Sequence, residues 1–427
     1  MQLRSFVKNL AFVQLVNFIV KPLWILAIDR YVQNQIGLEL YGQYYLVFNL
    51  SAMLFIVSDL GLNNFMTKEA VDKELSSLHV LRTSGLVKLI LSILFFVFLF
   101  FISFSRGLDI KLVCWVGINQ LLLSSSQWLR VWFNANRQFK RESLLAVVDR
   151  IVALLLWFGV IVLFGIKNQN MLSWFLGVQT LGLLAAVMVS IFLLYKQNIK
   201  SIDLEENSFK KVIIACLPFT LLSFFMAAYT RIDVVLMDLI LPNANYHIGV
   251  YAQGYRILDA SNMFAAVFAS MLLPIFTKQL NKKESVLPIV RTSSLLIGSS
   301  CVGLLIILGL WGEEIYHLLY SQNTNLDPQS LGYRLKTFCT VILCYIPIAY
   351  IYIFGTYLTA FGKLRFLVSL ACACLLLNIG LNYWFISQYQ AWGSAMVALI
   401  TQTVFSISCM VFSLYLMRKE KIVLSRK

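Results

Sequence analysis

Apolar runs of about 20 residues, separated by short polar segments, recur about twelve times along this chain, with centres near Phe18, Leu50, Leu94, Leu121, Leu156, Leu183, Phe224, Phe264, Ile297, Leu343, Leu375 and Val404. A run of that length matches the thickness of the hydrocarbon core of a bilayer when coiled as an α-helix. The pattern therefore predicts an all-α integral membrane protein of about twelve transmembrane helices. The runs containing Phe18, Phe224 and Phe264 extend to roughly 30 residues, about 45 Å of helix against a core of about 30 Å. They must tilt, bend or break. Pro22, Pro218 and Pro274 are the expected kink points, because proline removes an internal hydrogen bond.

Composition agrees with that reading. The chain has 427 residues, 59% hydrophobic and only 13% charged, whereas soluble domains are about 45–50% apolar and about 25% charged. A net charge of +15 would point to nucleic acid in a soluble protein. Here the cations sort by side instead. With loops assigned alternately, about 24 of the 35 Lys and Arg residues fall on the side of the termini and six on the other. The positive-inside rule then puts both termini in the cytoplasm of a multi-pass protein, and no nucleic-acid partner is needed. The first apolar run lacks a small-residue cleavage site, so no removable signal is expected.

Several chemistries lack their residues. The eight cysteines lie within apolar runs without a CxxC pair, and His79, His247 and His317 stand singly. No metal site, catalytic constellation or cofactor is therefore expected. There is no GxxxxGK[ST] phosphate loop, and the longest external loop, Trp311 to Arg334, is too short for a soluble catalytic domain. Any enzyme would have to work at the membrane surface with loop residues alone.

The two halves echo each other. Gly42-Gln43-Tyr44 is matched by Gly249-Val250-Tyr251, and Phe65-Met66-Thr67-Lys68 by Ile275-Phe276-Thr277-Lys278. Six helices per half give both halves the same orientation, hence two six-helix lobes, 1–200 and 201–427, related by a pseudo-two-fold axis along the membrane normal. Transport by rocking of one lobe against the other is a common use of such a plan.

Specific residues carry a family resemblance. Gly37-x-Glu39-x-Tyr41-Gly42-x-Tyr44, Ser58-Asp59-Leu60-Gly61-Leu62, Lys68-Glu69-Ala70, and Gln127-Trp128-Leu129 with Asn136-x-x-Phe139-Lys140 resemble the polysaccharide-exporter branch of the MATE-like multidrug/oligosaccharidyl-lipid/polysaccharide superfamily. The Wzx-type O-antigen flippases are the nearest in pattern. That resemblance implies movement of an undecaprenyl-diphosphate-linked oligosaccharide from the cytoplasmic to the periplasmic leaflet, with ion coupling. It implies as partners the lipid-linked glycan, membrane lipids, a polysaccharide polymerase and a chain-length regulator.

Charges within the spans are the candidate site residues, since a charge at the bilayer centre costs about 2.5–3.5 kcal/mol on the insertion scale. Lys21, Lys88, Arg150, Arg231 and Arg256 are candidates for substrate binding. A diphosphate cannot cross hydrocarbon without countercharge, and Arg offers a planar fork matched to phosphate oxygens. For Lys88 and Arg150, one or two turns from the surface, snorkelling to the interface competes with that role. Asp259, three residues from Arg256, and Asp233 are candidates for ion coupling. Asp59 reads as a structural cap. Trp128, Trp132 and Tyr255 are aromatic platforms for sugars if they face a cleft, and interface anchors if they do not. Three other readings compete: a drug exporter of the same superfamily, which would want intramembrane carboxylates without cationic partners; a membrane polysaccharide polymerase, which would want a large external loop; and a scaffold without transport.

Overall fold

A chain in hydrocarbon must satisfy its backbone polar groups internally, and consecutive apolar runs do so as helices. The computed structural model describes residues 19–20, 22–60, 62–63, 78–135, 138–164, 170–195, 208–320 and 328–425, and among these there is no strand. A π-helical segment, Trp24–Asp29, leads into α1 (Arg30–Asp59). The helices that follow are α2 (Leu78–Ser105), α3 (Ile110–Ala135), α4 (Phe139–Phe164), α5 (Met171–Tyr195), α6 (Ser208–Ile240) and α7 (Ala244–Asn281). The last four are α8 (Leu287–Tyr320), α9 (Pro328–Leu343), α10 (Tyr345–Ala360) and α11 (Leu364–Ser425).

Helix α2 shows why lipid is the solvent. Leu91, Phe95 and Leu99 recur every fourth residue and are buried, while Leu86, Leu89, Ile93, Val97, Phe101 and Phe104 lie exposed on its other face. A helix apolar on all sides suits a membrane and not water. Among the described residues, nine helical stretches are long and apolar enough to cross a bilayer.

Backbone breaks at Gly37 and Gln390 divide two of these stretches into separate spans. Gly37 has φ 81° and ψ 172° within α1. Gln390 has φ 55° and ψ −131° within α11. The rings of Phe366 and Phe412 on α11 lie 4.3 Å apart, which a straight helix of that length cannot allow at about 1.5 Å per residue. Helix α11 is thus an antiparallel hairpin folded at Gln390. Gly393 makes the fold tight, since a Cβ there would overlap the carbonyl of Phe385. With these two divisions and α3, the described segments agree with the twelve expected. Helices α6 and α7 run on through Pro218 and Pro274, and non-helical backbone falls at Gly37, Trp311 and Gln390. Within the Pro328–Ala360 stretch, the joint between α9 and α10 lies at Cys344, beside Pro347, whose missing N–H weakens the helix there.

The chain forms two compact units: Met1–Ile36 with Val47–Ala227, and Gly37–Leu46 with Ala228–Lys427. In the first, Thr180 on α5 donates to Asn119 on α3 (2.7 Å) and accepts from the indole of Trp115 (3.0 Å). Gly182 on α5 sits against the Asp149 carbonyl and the Ala153 methyl of α4, a contact that only glycine allows.

The second unit contains a reciprocal crossing. A Cβ on Gly42 of α1 would overlap the carbonyl of Asn245 at the start of α7, and one on Gly249 would overlap the carbonyl of Leu38. At an offset of 207, read from Gly42 and Gly249, residue 38 corresponds to 245. The repeat pairs therefore pack against each other with exchanged roles, as a local two-fold axis requires. Glycine is what lets two helix backbones approach so closely.

Candidate functional site

Three intramembrane charges of the second unit, Arg231, Arg256 and Asp259, meet in one cluster. The residues Tyr251, Tyr255 and Asp259 follow one another every fourth position on α7, so they line one face, with Arg256 three residues before Asp259. Helix α6 supplies Thr230, Arg231 and Asp233, and the Gly37–Leu46 segment supplies Tyr41 and Tyr45.

Two guanidinium groups share one carboxylate. Arg231 Nη2 lies 3.9 Å from Asp259 Oδ1, and Arg256 Nη1 lies 3.8 Å from Asp259 Oδ2. Each arginine also has an aromatic mount. Arg256 Nε donates to the Tyr41 hydroxyl (2.9 Å), and its guanidinium stands 5.0 Å from the centre of the Tyr45 ring. Arg231 stands 5.7 Å from the Tyr255 ring, and that tyrosine donates its hydroxyl to the Thr230 carbonyl (2.7 Å). The rings themselves form a row: Tyr41–Tyr45 at 6.2 Å, Tyr45–Tyr255 at 6.4 Å, Tyr255–Tyr251 at 5.4 Å. Cation–π contacts of this kind contribute about 0.5–2 kcal/mol, more when desolvated. The side chains of Arg231 and Asp259 are 22% and 20% exposed, whereas Arg256 is 9% exposed. Two guanidinium groups are thus held side by side at the carboxylate of Asp259.

Asp233 occupies a separate, buried polar nest. Its Oδ1 accepts from the amides of Asn378 (3.0 Å) and Asn382 (2.8 Å), and its Oδ2 accepts from the Tyr251 hydroxyl (3.0 Å). Asn382 also donates to Asn378 Oδ1 (2.8 Å). All three donors are neutral, so the carboxylate's charge is held by dipoles alone. Asn382 Oδ1 is buried without a hydrogen-bond partner. The nest holds a buried carboxylate by neutral donors from two further helices, α7 and α11.

In the first unit the predicted cations have their own company. Lys88 is buried and donates to the Ser58 carbonyl (2.7 Å) and to Ser124 Oγ, with the charge of Asp59 acting on it. It does not snorkel. Arg150 lies 3.4 Å from Asp149 and over the indole of Trp24 at 5.3 Å. Lys21 lies outside the described residues. Asp59 is at the C-terminal end of α1, where Leu60 turns left-handed.

The sugar platforms read from the sequence fare differently. Trp132 belongs to a core of Leu129, Phe133, Leu145 and Leu194, with Trp128 packed against it. Tyr255 is buried beneath Arg231. These rings pack the protein or position arginines. Gln253 and Gln402 likewise serve helix packing, accepting from Tyr316 and Tyr229. Sequence reasoning missed Tyr41 and Tyr45 as mounts for Arg256; their four-residue spacing beside Gly42 was the available signal.

Comparison with known proteins gives the architecture a context. The family model described as polysaccharide biosynthesis protein matches residues 6–280. No sequence among curated proteins matches the chain. Among solved structures, an inward-facing multidrug resistance MATE family transporter of the MOP superfamily is similar at 12% identity and TM-score 0.67, covering 96% of this chain and 99% of that one. A MOP superfamily transporter from Pyrococcus furiosus, whose description speaks of reversed polarity of the binding pocket and a different function, is similar at 14% identity and TM-score 0.66, covering 97% and 96%. The Vibrio cholerae MATE transporter VcmN in its bent form is similar at 12% identity and TM-score 0.62, covering 98% of each chain.

Proposed function

We propose, from the premise that this chain belongs to the polysaccharide biosynthesis protein family and has the fold of MOP superfamily transporters, that it is a flippase for an undecaprenyl-diphosphate-linked oligosaccharide. The lipid-linked unit moves from the cytoplasmic to the periplasmic leaflet of a bacterial inner membrane by alternating access of the two lobes, 1–200 and 201–427. The observation that carries this reading is the gathering of Arg231 and Arg256 at the carboxylate of Asp259. Two guanidinium groups gathered in one membrane-embedded cluster suit the oxygens of a diphosphate. The reversed pocket polarity described for the Pyrococcus furiosus transporter supports the view that this fold serves more than one charge class.

The substrate's diphosphate meets the arginines, whose planar forks match its oxygens. Lys21, Lys88 and Arg150 are further cations for the headgroup along its path. An inside-negative potential favours outward movement of a net anion by about 2.3 kcal/mol per charge per 100 mV. Proteoliposomes test the assignment: purified protein should translocate a fluorescent undecaprenyl-diphosphate-linked sugar to the far leaflet. Transport of cationic dyes with no movement of the lipid would favour the drug-exporter reading instead.

Asp233 is proposed as the seat of ion coupling. Asp233→Asn preserves shape while removing the charge, so folding should persist and the stimulation of transport by an imposed proton or sodium gradient should disappear. A variant that still responds fully to the gradient would remove Asp233 from that role. Both termini are expected in the cytoplasm. A reporter fused after Lys427 should be active only if it is cytoplasmic, and activity of a periplasm-specific reporter there would reverse the orientation.

A further inference from the structure

A second polar group lies in the second unit, at the turn of the α11 hairpin and away from the C-terminus. Ala391, at that turn, donates its backbone N–H to the Tyr333 hydroxyl on α9 (3.0 Å), and the same hydroxyl meets Nδ1 of His247 on α7 at 2.7 Å. The starts of α7 and α9 and the α11 turn therefore share one end of the unit. Arg334, next to Tyr333 on α9, is 5% exposed. Its company is neutral. Nε donates to the Tyr246 hydroxyl at a long 3.3 Å, and the guanidinium stands 5.5 Å from the centre of the Tyr246 ring. Its charge also acts on the Tyr316 hydroxyl, which donates to Gln253. Nη1 is buried and has no hydrogen-bond partner among the described residues.

A tie between helices does not account for this arrangement. Arginine is almost never fully buried unless paired, and a buried cation without a countercharge is costly to the fold. A phenol at 3.3 Å and a ring face offset part of that cost. They leave Nη1 unused where an unmade hydrogen bond is penalised in full. The group that completes the site is an anion with oxygen acceptors, and a guanidinium fork matches the oxygens of a phosphate. Pro242 and Asn243 before α7, and Pro328 and Gln329 at the start of α9, are exposed, so Arg334 lies one to two turns below the surface of the unit. We propose that Arg334 is the core of a second oxyanion site, which takes a phosphate or diphosphate group at the end of the second unit opposite the C-terminus. With the termini in the cytoplasm, as expected, this is the periplasmic end, where a diphosphate rests after it leaves Arg231 and Arg256. The binding claim stands on the geometry of Arg334; that a lipid headgroup supplies the phosphate rests on the flippase reading.

The test uses the full chain purified in detergent, with inorganic diphosphate and undecaprenyl diphosphate as probes, read by thermal unfolding and equilibrium titration. Arg256→Ala is the reference, so that the other arginine pair does not supply the signal, and Arg334→Met or Arg334→Lys is added to it. Arg334→Met alone, without anion, is expected to unfold at or above the wild-type midpoint, because an apolar side chain replaces a cation held by neutral partners. On the reference, inorganic diphosphate is expected to raise the midpoint. Arg334→Met should weaken its binding by at least about tenfold, as loss of charge-assisted hydrogen bonds predicts, and Arg334→Lys should keep part of it. Binding of both probes that is equal with and without Arg334, or absent from the reference, overturns the site, as does a midpoint for Arg334→Met well below wild type. Binding of undecaprenyl diphosphate by wild type in that case leaves the flippase reading standing. Loss of both probes with Arg334→Met assigns the site to the lipid headgroup. Arg334-dependent binding of inorganic diphosphate, with no undecaprenyl diphosphate bound by any form, keeps the site as one for free phosphate and counts against the flippase reading alone.

Discussion

Arg256→Ala should reduce binding of undecaprenyl diphosphate by about 10- to 100-fold and bring surface polysaccharide close to the level of cells lacking the protein. The magnitude follows from the charge-assisted hydrogen bonds of one arginine, about 1.5–3 kcal/mol. Truncation removes one of the two guanidinium groups held at Asp259. It also takes the donor from the Tyr41 hydroxyl and the cation from the Tyr45 ring. Arg256→Lys keeps the charge but loses the planar fork, and should recover only part of the binding. Protein level and thermal unfolding in detergent are the controls, because Asp259 keeps Arg231 as a partner. Arg256→Ala protein that folds, binds normally and sustains wild-type polymer would remove the arginine pair from the substrate path.

The second large effect is expected at the glycine crossing. Gly42→Ala and Gly249→Ala each place a methyl inside the space of a backbone carbonyl, that of Asn245 or of Leu38. Alanine gains about 0.5–1 kcal/mol over glycine from helix propensity. Overpacking against rigid backbone costs about 1–3 kcal/mol or more, so the clash outweighs the propensity. Because the two contacts are reciprocal, both variants should behave alike, with a lower thermal midpoint and less folded protein. Gly303→Ala on α8 is the matched comparison, since its Cβ would meet open space. That variant should be neutral or slightly stabilised. Equal midpoints for all three would mean that the crossing yields easily and has no special place in the fold.

Much of this architecture is legible in the sequence, for physical reasons. Apolar runs of span length admit little besides helices in lipid, so segments such as α2 and α5 follow directly. The glycine pair at 42 and 249 is visible as a repeat, although its meaning as a mutual contact needs coordinates. Breaks are harder to read. Proline at 218 and 274 left helices continuous because a membrane helix can reorganise around a missing hydrogen bond, whereas Gln390, an ordinary polar residue, turns the chain.

The site was half legible. Intramembrane charge is expensive enough that Arg231, Arg256, Asp233 and Asp259 stand out in any reading. Their partners do not. Asp259 pairs with Arg231 across α6 and α7, and Asp233 draws on Asn378 and Asn382 from α11. Such contacts join residues far apart in the chain, so no local spacing announces them. Lys88 looked close enough to the surface to snorkel, yet the oxygens of Ser58 and Ser124 hold it inside.

The central claim is movement of a diphosphate-linked glycan across the membrane, and its most direct test is the sidedness of that lipid in cells depleted of this protein. Intact cells and inverted vesicles would be probed with a membrane-impermeant lectin or glycosidase. The account predicts that lipid-linked repeat units accumulate on the cytoplasmic leaflet while surface polymer disappears. Repeat units reaching the periplasmic leaflet in undiminished amounts would contradict it.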